Sequence, residues 1–289
     1  MTVLFTGGSS PLGGQVLRGL LENADYTQVW SAVHQQPVAI VHPKLRSIRL
    51  RLEDEALDLR EITGPLDLVV HFAGVTHSPD PELYWKVNFR GTKRLAQAAR
   101  ARGCRRFVYV STRCATENSG AYGESKLAAE GALQAMGWER LLILRPAEIY
   151  GAGGTEGVDK FISLAARFHL VPVLWGHKGL RFAPLATNDF VSAAIALIQM
   201  NRNGVETLEL CGPEDLSAPS LGLRIARKYR ALPVPIWWPF LALLLRFLSK
   251  IGLRVVAPDQ LERLTGRKTA NRSTPNAILD TMRSQFLRP

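Results

Sequence analysis

The stretch Val3-Leu4-Phe5-Thr6-Gly7-Gly8-Ser9-Ser10-Pro11-Leu12-Gly13-Gly14 decides how the rest of the chain is interpreted. A short apolar strand runs into a glycine turn, and a helical pattern follows at Val16, Leu17 and Leu20. This order presents backbone N–H groups and a helix N-terminus to a pyrophosphate. Ser10 stands where the usual three-glycine spacing has its middle glycine, and it is small enough for a phosphate to approach. Taken alone, the motif also fits a glycine-rich turn without a ligand.

The composition is that of a soluble globular protein, because 46% of the 289 residues are hydrophobic and 21% are charged. A chain of this length can hold one large α/β domain, or a main domain with a smaller lobe. The net charge of +11 comes from 36 Lys and Arg against 25 Asp and Glu. The densest basic runs, 100–106 and 263–268, contain no aromatic residues. A solvated basic face is therefore favoured over a nucleic-acid site.

Cysteine usage and the longest apolar run argue against a disulfide-rich protein, a zinc protein and a membrane-spanning protein. Cys104, Cys114 and Cys211 are too few and too scattered for a disulfide framework or a zinc site, so we expect no metal. The first strand begins at residue 2 or 3, which leaves no room for a signal peptide and predicts a cytoplasmic protein. The apolar run 236–245 is too short to span a bilayer, which needs about 20 apolar residues.

The second and third predicted strands concern the choice of dinucleotide. The second strand, 29–33, ends at His34, where NAD-preferring folds carry an Asp or Glu that binds the ribose hydroxyls. The third, 45–52, carries Arg46, Arg49 and Arg51. The missing acid and the arginines favour NADP slightly over NAD, although the arginines also fit a solvent-facing strand edge.

Two predicted buried strands contain or lead to residues that could be catalytic. The apolar strand 66–74 contains His71, which we interpret as structural because it lies inside the strand. The strand 106–112 ends at Thr112, and a helix opens ten residues later at Tyr122 with Lys126 on the same face. The lysine would lower the pKa of the tyrosine. The tyrosine would then exchange a proton with a carbinol or carbonyl oxygen while hydride moves, and Thr112 would hydrogen-bond that oxygen.

Together these motifs resemble the extended short-chain dehydrogenase/reductases of the NAD-dependent epimerase/dehydratase family. The resemblance runs over about two-thirds of the chain, from the glycine turn to about Val191. It implies a Rossmann α/β fold with a doubly wound parallel sheet and a smaller, mainly helical substrate lobe. We predict domains at 1–150 and 151–289, with 182–211 packing back onto the first. Family resemblance also implies a homodimer, through helices 83–102 and 122–136.

The resemblance implies roles for individual residues. The catalytic candidates are Thr112, Tyr122 and Lys126. The candidate cofactor contacts are Gly7, Ser10, Pro11, Leu12, Gly13, His34, Arg51, Leu52, Phe72, Ala73, Gly74, Lys126, Pro146 and Ile149. The candidate substrate contacts are Thr76, Glu148 and Arg181, the last at a position that touches the diphosphate in sugar-nucleotide members.

The chain also departs from the family pattern. Arg51-Leu52 stands where the family has an Asp-Leu pair, whose aspartate contacts adenine. Arg113-Cys114 follows Thr112, where sugar dehydratases carry the Asp-Glu pair needed for water loss, so a dehydratase of that kind is disfavoured. Glu148 stands where many sugar epimerases place asparagine.

The leading hypothesis is an NAD(P)-dependent oxidoreductase or epimerase acting at a secondary alcohol or ketone of a small-molecule substrate. Arg181 and the basic charge favour a nucleotide sugar. Glu148 and the tryptophan-rich stretch 237–240 favour a hydrophobic or lipid-like substrate. A second hypothesis, a member that binds the cofactor without turnover, is disfavoured by intact Tyr122 and Lys126.

The segment 237–253 has helical apolar spacing and could rest on a membrane. Packing within the C-terminal lobe is the favoured interpretation.

Overall fold

The computed structural model describes residues 1–151, 157–177, 179–250 and 286–287, with the side chains of 246–250 excluded. The basic run 263–268 and the end of the segment 237–253 lie outside the described residues. The chain divides into two compact units. The first unit comprises Met1–Glu117, Ala121–Arg145 and Val191–Leu208. The second comprises Asn118–Gly120, Pro146–Phe190 and Glu209–Pro289.

Strands and helices alternate through the first half of the chain, and the described strands and helices are as follows. The strands are β1 (Thr2–Thr6), β2 (Gln28–Val33), β3 (Leu45–Arg49), β4 (Leu68–His71), β5 (Arg106–Val110), β6 (Arg140–Pro146), β7 (Ile149–Tyr150), β8 (Leu170–Trp175), β9 (Arg181–Phe182), β10 (Leu185–Ala186), β11 (Gly204–Leu210), β12 (Leu216–Ser217) and β13 (Leu232–Trp237). The helices are α1 (Pro11–Leu21), α2 (Pro81–Tyr84), α3 (Thr92–Ala101), α4 (Gly120–Gln134), α5 (Gly157–Phe168), α6 (Thr187–Gln199), α7 (Ala218–Tyr229) and α8 (Trp238–Lys250).

The central sheet has seven parallel strands in the order β11-β6-β5-β4-β1-β2-β3. Strand β1 pairs with β2 on one side and β4 on the other. The chain therefore reverses its winding direction between β1 and β4. In doubly wound sheets, ligands bind beyond the carboxyl ends of the strands at this point. The predicted Rossmann fold is confirmed.

Strand β1 is buried along its whole length, as expected of a parallel strand covered on both faces. Helix α1 buries one apolar stripe, which includes Val16, Leu17 and Leu20. Both elements join the glycine turn between Thr6 and Pro11. The turn is thus anchored on each side by core packing.

The helix predicted for 83–102 is a continuous helical run in three parts. A π-helical segment, Trp85–Gly91, connects α2 to α3. Gly91 packs against the carbonyl oxygen of Leu52, which a Cβ at that position would approach to 2.7 Å. Since π-helical turns frequently occur at functional sites, this segment is a candidate source of site residues.

The second unit is built on small sheets and helices. Its strands form three pairs: β10-β7 and β13-β8 are parallel, and β12-β9 is antiparallel. Helices α5, α7 and α8 contribute to a separate apolar core that includes Val171, Leu221, Ile225 and Trp238. Of the residues 182–211 that the sequence placed with the first domain, Val191–Leu208 belongs to the first unit.

Candidate active site

Two glycines shape the turn between β1 and α1. Gly7 has φ +82°, and a Cβ there would lie 2.8 Å from the backbone nitrogen of Ala73. A Cβ on Gly13 would lie 2.2 Å from the carbonyl oxygen of Gly7. No side chain fits at such separations, so the close passage of these backbones requires glycine at both positions.

Ser10 is the N-cap of α1, and Pro11 takes the first helical position. The Ser10 hydroxyl accepts a hydrogen bond from the N–H of Gly13 (3.0 Å) and donates one to the carbonyl of Gly7 (2.9 Å). Its φ of −77° is open to any residue. Serine at the middle position therefore stabilises the first helical turn, and it leaves the geometry of a phosphate-binding turn intact.

A buried histidine joins the carboxyl ends of β1 and β4. The Nδ1 of His71 lies 2.6 Å from the Oγ1 of Thr6, and its Nε2 lies 2.9 Å from the Oγ1 of Thr92. Burial lowers the pKa of His71 to about 3, so the ring is neutral. The Thr6 hydroxyl also accepts from the N–H of Ala73 (3.1 Å). His71 is thus a structural residue that sets the course of the chain through Phe72, Ala73 and Gly74.

Lys126 projects from α4 toward the ends of β4 and β5. Its ammonium is buried, donates to the carbonyl of Val110 (3.1 Å) and lies 4.8 Å from the ring centre of Tyr109. A Cβ on Gly74 would come within 3.1 Å of the Nζ. The glycine therefore leaves room for the lysine. Burial lowers the pKa of Lys126 to about 8, against the opposing charge of Glu130.

The other two catalytic candidates lie in the same unit as Lys126. Tyr122 is four residues earlier on α4, which places both side chains on one helix face. Its ring packs edge-to-face against Tyr84, with 5.8 Å between ring centres. Thr112 is buried just beyond β5, and its hydroxyl accepts from the N–H of Cys114 (3.2 Å). Helix α4 and strand β5 thus bring the three candidates to one end of the sheet.

Glu130 is a member of this cluster that the sequence analysis missed. It is buried, accepts a short hydrogen bond from the hydroxyl of Ser111, and is clamped by the guanidinium of Arg145. The Nε of Arg145 lies 3.0 Å from one carboxylate oxygen. The signal was present in the sequence, because Tyr122, Lys126 and Glu130 follow one another at intervals of four along α4.

Asn88, which was assigned no role from the sequence, comes from the π-helical segment. Its side chain accepts from the N–H of Val75 (2.8 Å) and donates to the carbonyl of Val75 (2.9 Å). A Cβ on Gly74 would lie 2.9 Å from its Oδ1. This pair of bonds fixes the loop that leads from Gly74 to the exposed Thr76.

The residues expected near the adenosine occupy the β2–β3 side of the sheet. His34 follows β2 directly and is exposed. Arg51 is exposed, with its Nε 3.8 Å from a carboxylate oxygen of Asp54. Leu52 is buried in the core, and its carbonyl accepts from the guanidinium of Arg94 (2.8 Å).

Four predicted site residues belong to the second unit. Glu148 accepts from the N–H of Ala183 (3.2 Å). Arg181 donates from its Nε to the carboxylate of Asp215 (2.7 Å) and from a terminal nitrogen to the carbonyl of that residue (3.0 Å). Pro146 ends β6, and Ile149 lies in β7.

Metal ligation and membrane crossing find no support in the described part of the chain. In that part, no group of three or more His, Cys, Asp or Glu side chains is placed to hold a metal ion. Within the same residues, no helix combines the length and the apolar character needed to cross a bilayer.

Comparison with known proteins identifies a family and several curated relatives, among them two reductases. The model of the NAD dependent epimerase/dehydratase family matches residues 3–211. Ceramide reductase from Caulobacter vibrioides is 34% identical over 199 residues, which are 67% of this chain and 60% of the relative. A 2-alkyl-3-oxoalkanoate reductase from Stenotrophomonas maltophilia is 30% identical over 194 residues, covering 59% and 57%. The matches thus span about three-fifths of each relative.

Solved structures share the fold. One of them is a dTDP-glucose 4,6-dehydratase from Streptomyces venezuelae with NAD and TYD bound. It superposes with a TM-score of 0.69 at 21% identity, over 82% of this chain and 84% of that chain. At this identity the likeness supports the architecture alone.

Proposed function

Because the chain belongs to the NAD-dependent epimerase/dehydratase family, we propose that it is an NAD(P)-dependent reductase acting at a ketone, or in reverse at a secondary alcohol, on a substrate with an alkyl chain. The observation that carries the redox assignment is the pair Tyr122 and Lys126 on one face of α4. The lysine is buried beside Gly74, next to the predicted path of the cofactor.

The residues of the first unit fit a dinucleotide. The glycine turn and the N-terminus of α1 would hold the pyrophosphate, and a Cβ on Gly7 or Gly13 would close that cradle. Phe72, Ala73 and Gly74 would line the path toward the nicotinamide. A bound dinucleotide would supply the hydride. The comparisons support NAD(P), while the slight preference for NADP over NAD stays a prediction that they do not support.

Three side chains would handle the substrate oxygen. Tyr122 would donate its hydroxyl proton to the carbonyl oxygen as the carbonyl carbon receives hydride, which yields the alcohol. The Lys126 ammonium, held by the carbonyl of Val110, would stabilise the phenolate left behind. The Thr112 hydroxyl would hydrogen-bond the same substrate oxygen.

The choice of an alkyl ketone reverses the order of the two substrate hypotheses. Arg181, the main support for a nucleotide sugar, is ion-paired with Asp215. Glu148 places a carboxylate where many sugar epimerases have asparagine. Both curated relatives named above are reductases whose names specify ceramide or an alkyl oxoalkanoate. A nucleotide-sugar epimerase is the second candidate, supported by the match of 82% of this chain to a UDP-glucose 4-epimerase from Vibrio cholerae at 25% identity.

Replacement of the tyrosine tests the mechanism. In Tyr122→Phe we expect ketone reduction to fall roughly 10²- to 10⁴-fold, the usual contribution of a general acid, while the Kd for NADH or NADPH changes little. Tyr26→Phe is the matched control, because Tyr26 is a buried tyrosine of the same unit outside the site. Full activity in Tyr122→Phe would overturn the mechanism.

Substrate class is tested separately with the wild-type enzyme. Turnover of 3-oxoacyl esters of increasing chain length should improve with length, because burial of each added CH₂ is favourable. UDP and dTDP should compete weakly or not at all. Tight competition by UDP, combined with inactivity on alkyl ketones, would favour the nucleotide-sugar candidate. The homodimer and the cytoplasmic location stay predictions.

A further inference from the structure

The second unit has an edge strand made only of apolar residues. Strand β13 reads Leu232-Pro233-Val234-Pro235-Ile236-Trp237 and pairs only with β8 among the described strands. Five of its six residues are exposed, and Ile236 is half-buried. An exposed apolar edge is ordinarily a hazard, since it invites another strand to add to the sheet.

Two prolines prevent strand addition here. The N–H of Leu232 donates inward to the carbonyl of His169 (2.7 Å). Because donors alternate along a strand, positions 233 and 235 face the open edge. Both are prolines, which have no N–H to offer to an incoming strand. The edge is therefore apolar and yet unsuited to β-augmentation, so its partner must be something other than a strand.

An aromatic surface continues from the end of this strand onto α8. Trp237 is the register partner of Trp175, and both are exposed. On α8, Trp238, Leu241 and Ala242 pack into the core of the unit. The opposite face is apolar too. The surface, called the tryptophan face below, consists of Trp175, Trp237 (61% exposed), Phe240 (66%), Leu243 (68%) and Leu244.

This finding refines the expectation that the segment simply packs within the lobe. One side of α8 does pack inward, at Trp238 and Leu241. The other side presents large apolar groups to solvent, at Phe240 and Leu243. Contiguous apolar patches of this kind usually mark a binding surface.

The charges around the surface have one sign. Strands β8 and β13 and helices α7 and α8 contain no Asp or Glu, and α5 contains only the buried Asp159. Exposed Arg167, Arg227 and Arg230 lie just before the first residues of β8 and β13. The guanidinium of Arg167 stacks over exposed Phe168, 5.3 Å from its ring centre. A basic rim thus adjoins the apolar edge.

We propose that the tryptophan face and the β13 edge dock the protein on an anionic lipid bilayer. Trp, Phe and Leu side chains are those that enter the interfacial region, and arginines are attracted to anionic headgroups. A bilayer also meets the condition set by Pro233 and Pro235, because it needs no backbone donors. The docking proposal rests on the proposed function in one respect. Docking would give the proposed reductase access to a substrate that resides in membranes.

Vesicle flotation of the full chain, without substrate or cofactor, tests the docking. We expect binding to vesicles of phosphatidylcholine mixed with phosphatidylglycerol, and weaker binding to phosphatidylcholine alone. Trp237→Ser/Phe240→Ser/Leu243→Ser should reduce binding roughly tenfold or more, because three large apolar side chains are lost. The control Val41→Ser/Val205→Ser alters exposed apolar residues elsewhere and should leave binding unchanged.

A charge-reversal pair covers the case in which the triple variant fails to fold. Arg227→Glu/Arg230→Glu should abolish the preference for anionic vesicles, whereas Arg18→Glu/Arg105→Glu, with the same change in net charge, should retain most of it. Absence of vesicle binding by the wild-type chain would overturn the proposal. A folded triple variant that binds vesicles as well as the wild type would also overturn it. If the wild type does not bind vesicles and the triple variant converts a dimer to a monomer, the tryptophan face is a dimer interface.

The two proposals fail in distinguishable ways. Arg227→Glu/Arg230→Glu should lose its preference for anionic vesicles and keep its activity on a short, water-soluble ketone, since neither arginine belongs to the candidate site. Tyr122→Phe should lose that activity and still bind vesicles. Vesicle binding without any ketone reduction would therefore sink the enzyme proposal alone.

Discussion

The two units treat charge and apolar surface in opposite ways. In the first, the ion pair of Glu130 with Arg145 is largely buried near the carboxyl ends of the strands. In the second, the ion pair of Arg181 with Asp215 is half-exposed, and large apolar groups such as Trp237 face solvent. The contrast suggests a division of labour. Under the two proposals above, the first unit would carry the chemistry shared by the family, and the second would provide the surface that docks on the membrane.

The largest expected effect is a loss of NADH affinity when a glycine of the first unit, Gly13, is replaced by alanine. In Gly13→Ala the new Cβ would lie 2.2 Å from the carbonyl oxygen of Gly7, so the phosphate turn must open. We expect the Kd for NADH to rise roughly 100-fold or more, which corresponds to about 3 kcal/mol. Titration by nicotinamide fluorescence measures it.

Two other glycines serve as controls for that variant. A Cβ added to Gly131 on α4 would meet open space, so Gly131→Ala should leave binding unchanged. Gly212 in the second unit would place a Cβ 1.7 Å from the carbonyl of Pro184. Gly212→Ala should therefore lower stability without a specific loss of NADH affinity. Equal NADH binding by Gly13→Ala and wild type would refute the role of the turn.

The next effect concerns the buried ion pair of the first unit. Glu130→Ala leaves the Arg145 guanidinium without its carboxylate in a site where Glu130 is almost fully buried. Removal of one partner of such a pair costs about 3–5 kcal/mol, measurable by urea unfolding. If Glu130→Ala lowers the free energy of unfolding by less than the loss of an exposed ion pair does, the buried pair of the first unit does not differ from the exposed pair of the second.

A more conservative variant of Glu130 tests its effect on activity as well as on stability. Glu130→Gln keeps the shape but removes the charge that raises the pKa of Lys126. The pKa of Lys126 should then fall below about 8, and the alkaline limb of the pH–rate profile should move to lower pH. A merely structural Glu130 would change stability and leave the profile in place.

A smaller effect follows from His71, whose folded-state pKa of about 3 lies below its ordinary value of 6.5. Below pH 6.5 the unfolded chain binds a proton that the folded chain does not, so acid favours unfolding. Between about pH 7 and pH 5 this residue should remove about 2 kcal/mol of stability. His71→Asn should remove that part of the pH dependence, and urea midpoints at the two pH values measure it. An unchanged slope would show that His71 does not titrate as expected.

The sequence predicted the elements that carry strong local rules. The glycine turn, the helix with Tyr122 and Lys126, and the apolar strands were all placed correctly, because each depends on steric or periodic constraints within a short stretch. Strand ends were less well predicted. The third strand ends at Arg49, while Leu50 and Leu52 are buried outside it, since apolar residues report burial and not strand geometry.

Other features depend on contacts between distant residues and could not be derived from local patterns. The clamp of Arg145 on Glu130 joins β6 to α4. The pairing of Arg181 with Asp215 crosses 34 positions and changed the weight given to a nucleotide sugar. The apolar run of α8 predicted a helix, but the sequence could not show that Trp238 packs inward while Phe240 and Leu243 stay exposed.

The smallest expected effect concerns Arg181 and Asp215, the half-exposed counterpart of the buried pair. Asp215→Asn should cost no more than about 1 kcal/mol, because an exposed pair gains little over hydration of its partners. The same variant leaves the Arg181 charge less neutralised, so it should strengthen binding of UDP if this arginine contacts a diphosphate. Under the alkyl-ketone proposal, Asp215→Asn leaves the KM for the ketone unchanged and UDP still binds poorly. Calorimetric titration of UDP into the wild type and the variant therefore distinguishes the substrate hypotheses, with Asp54→Asn, at an exposed pair of the first unit, as the matched control.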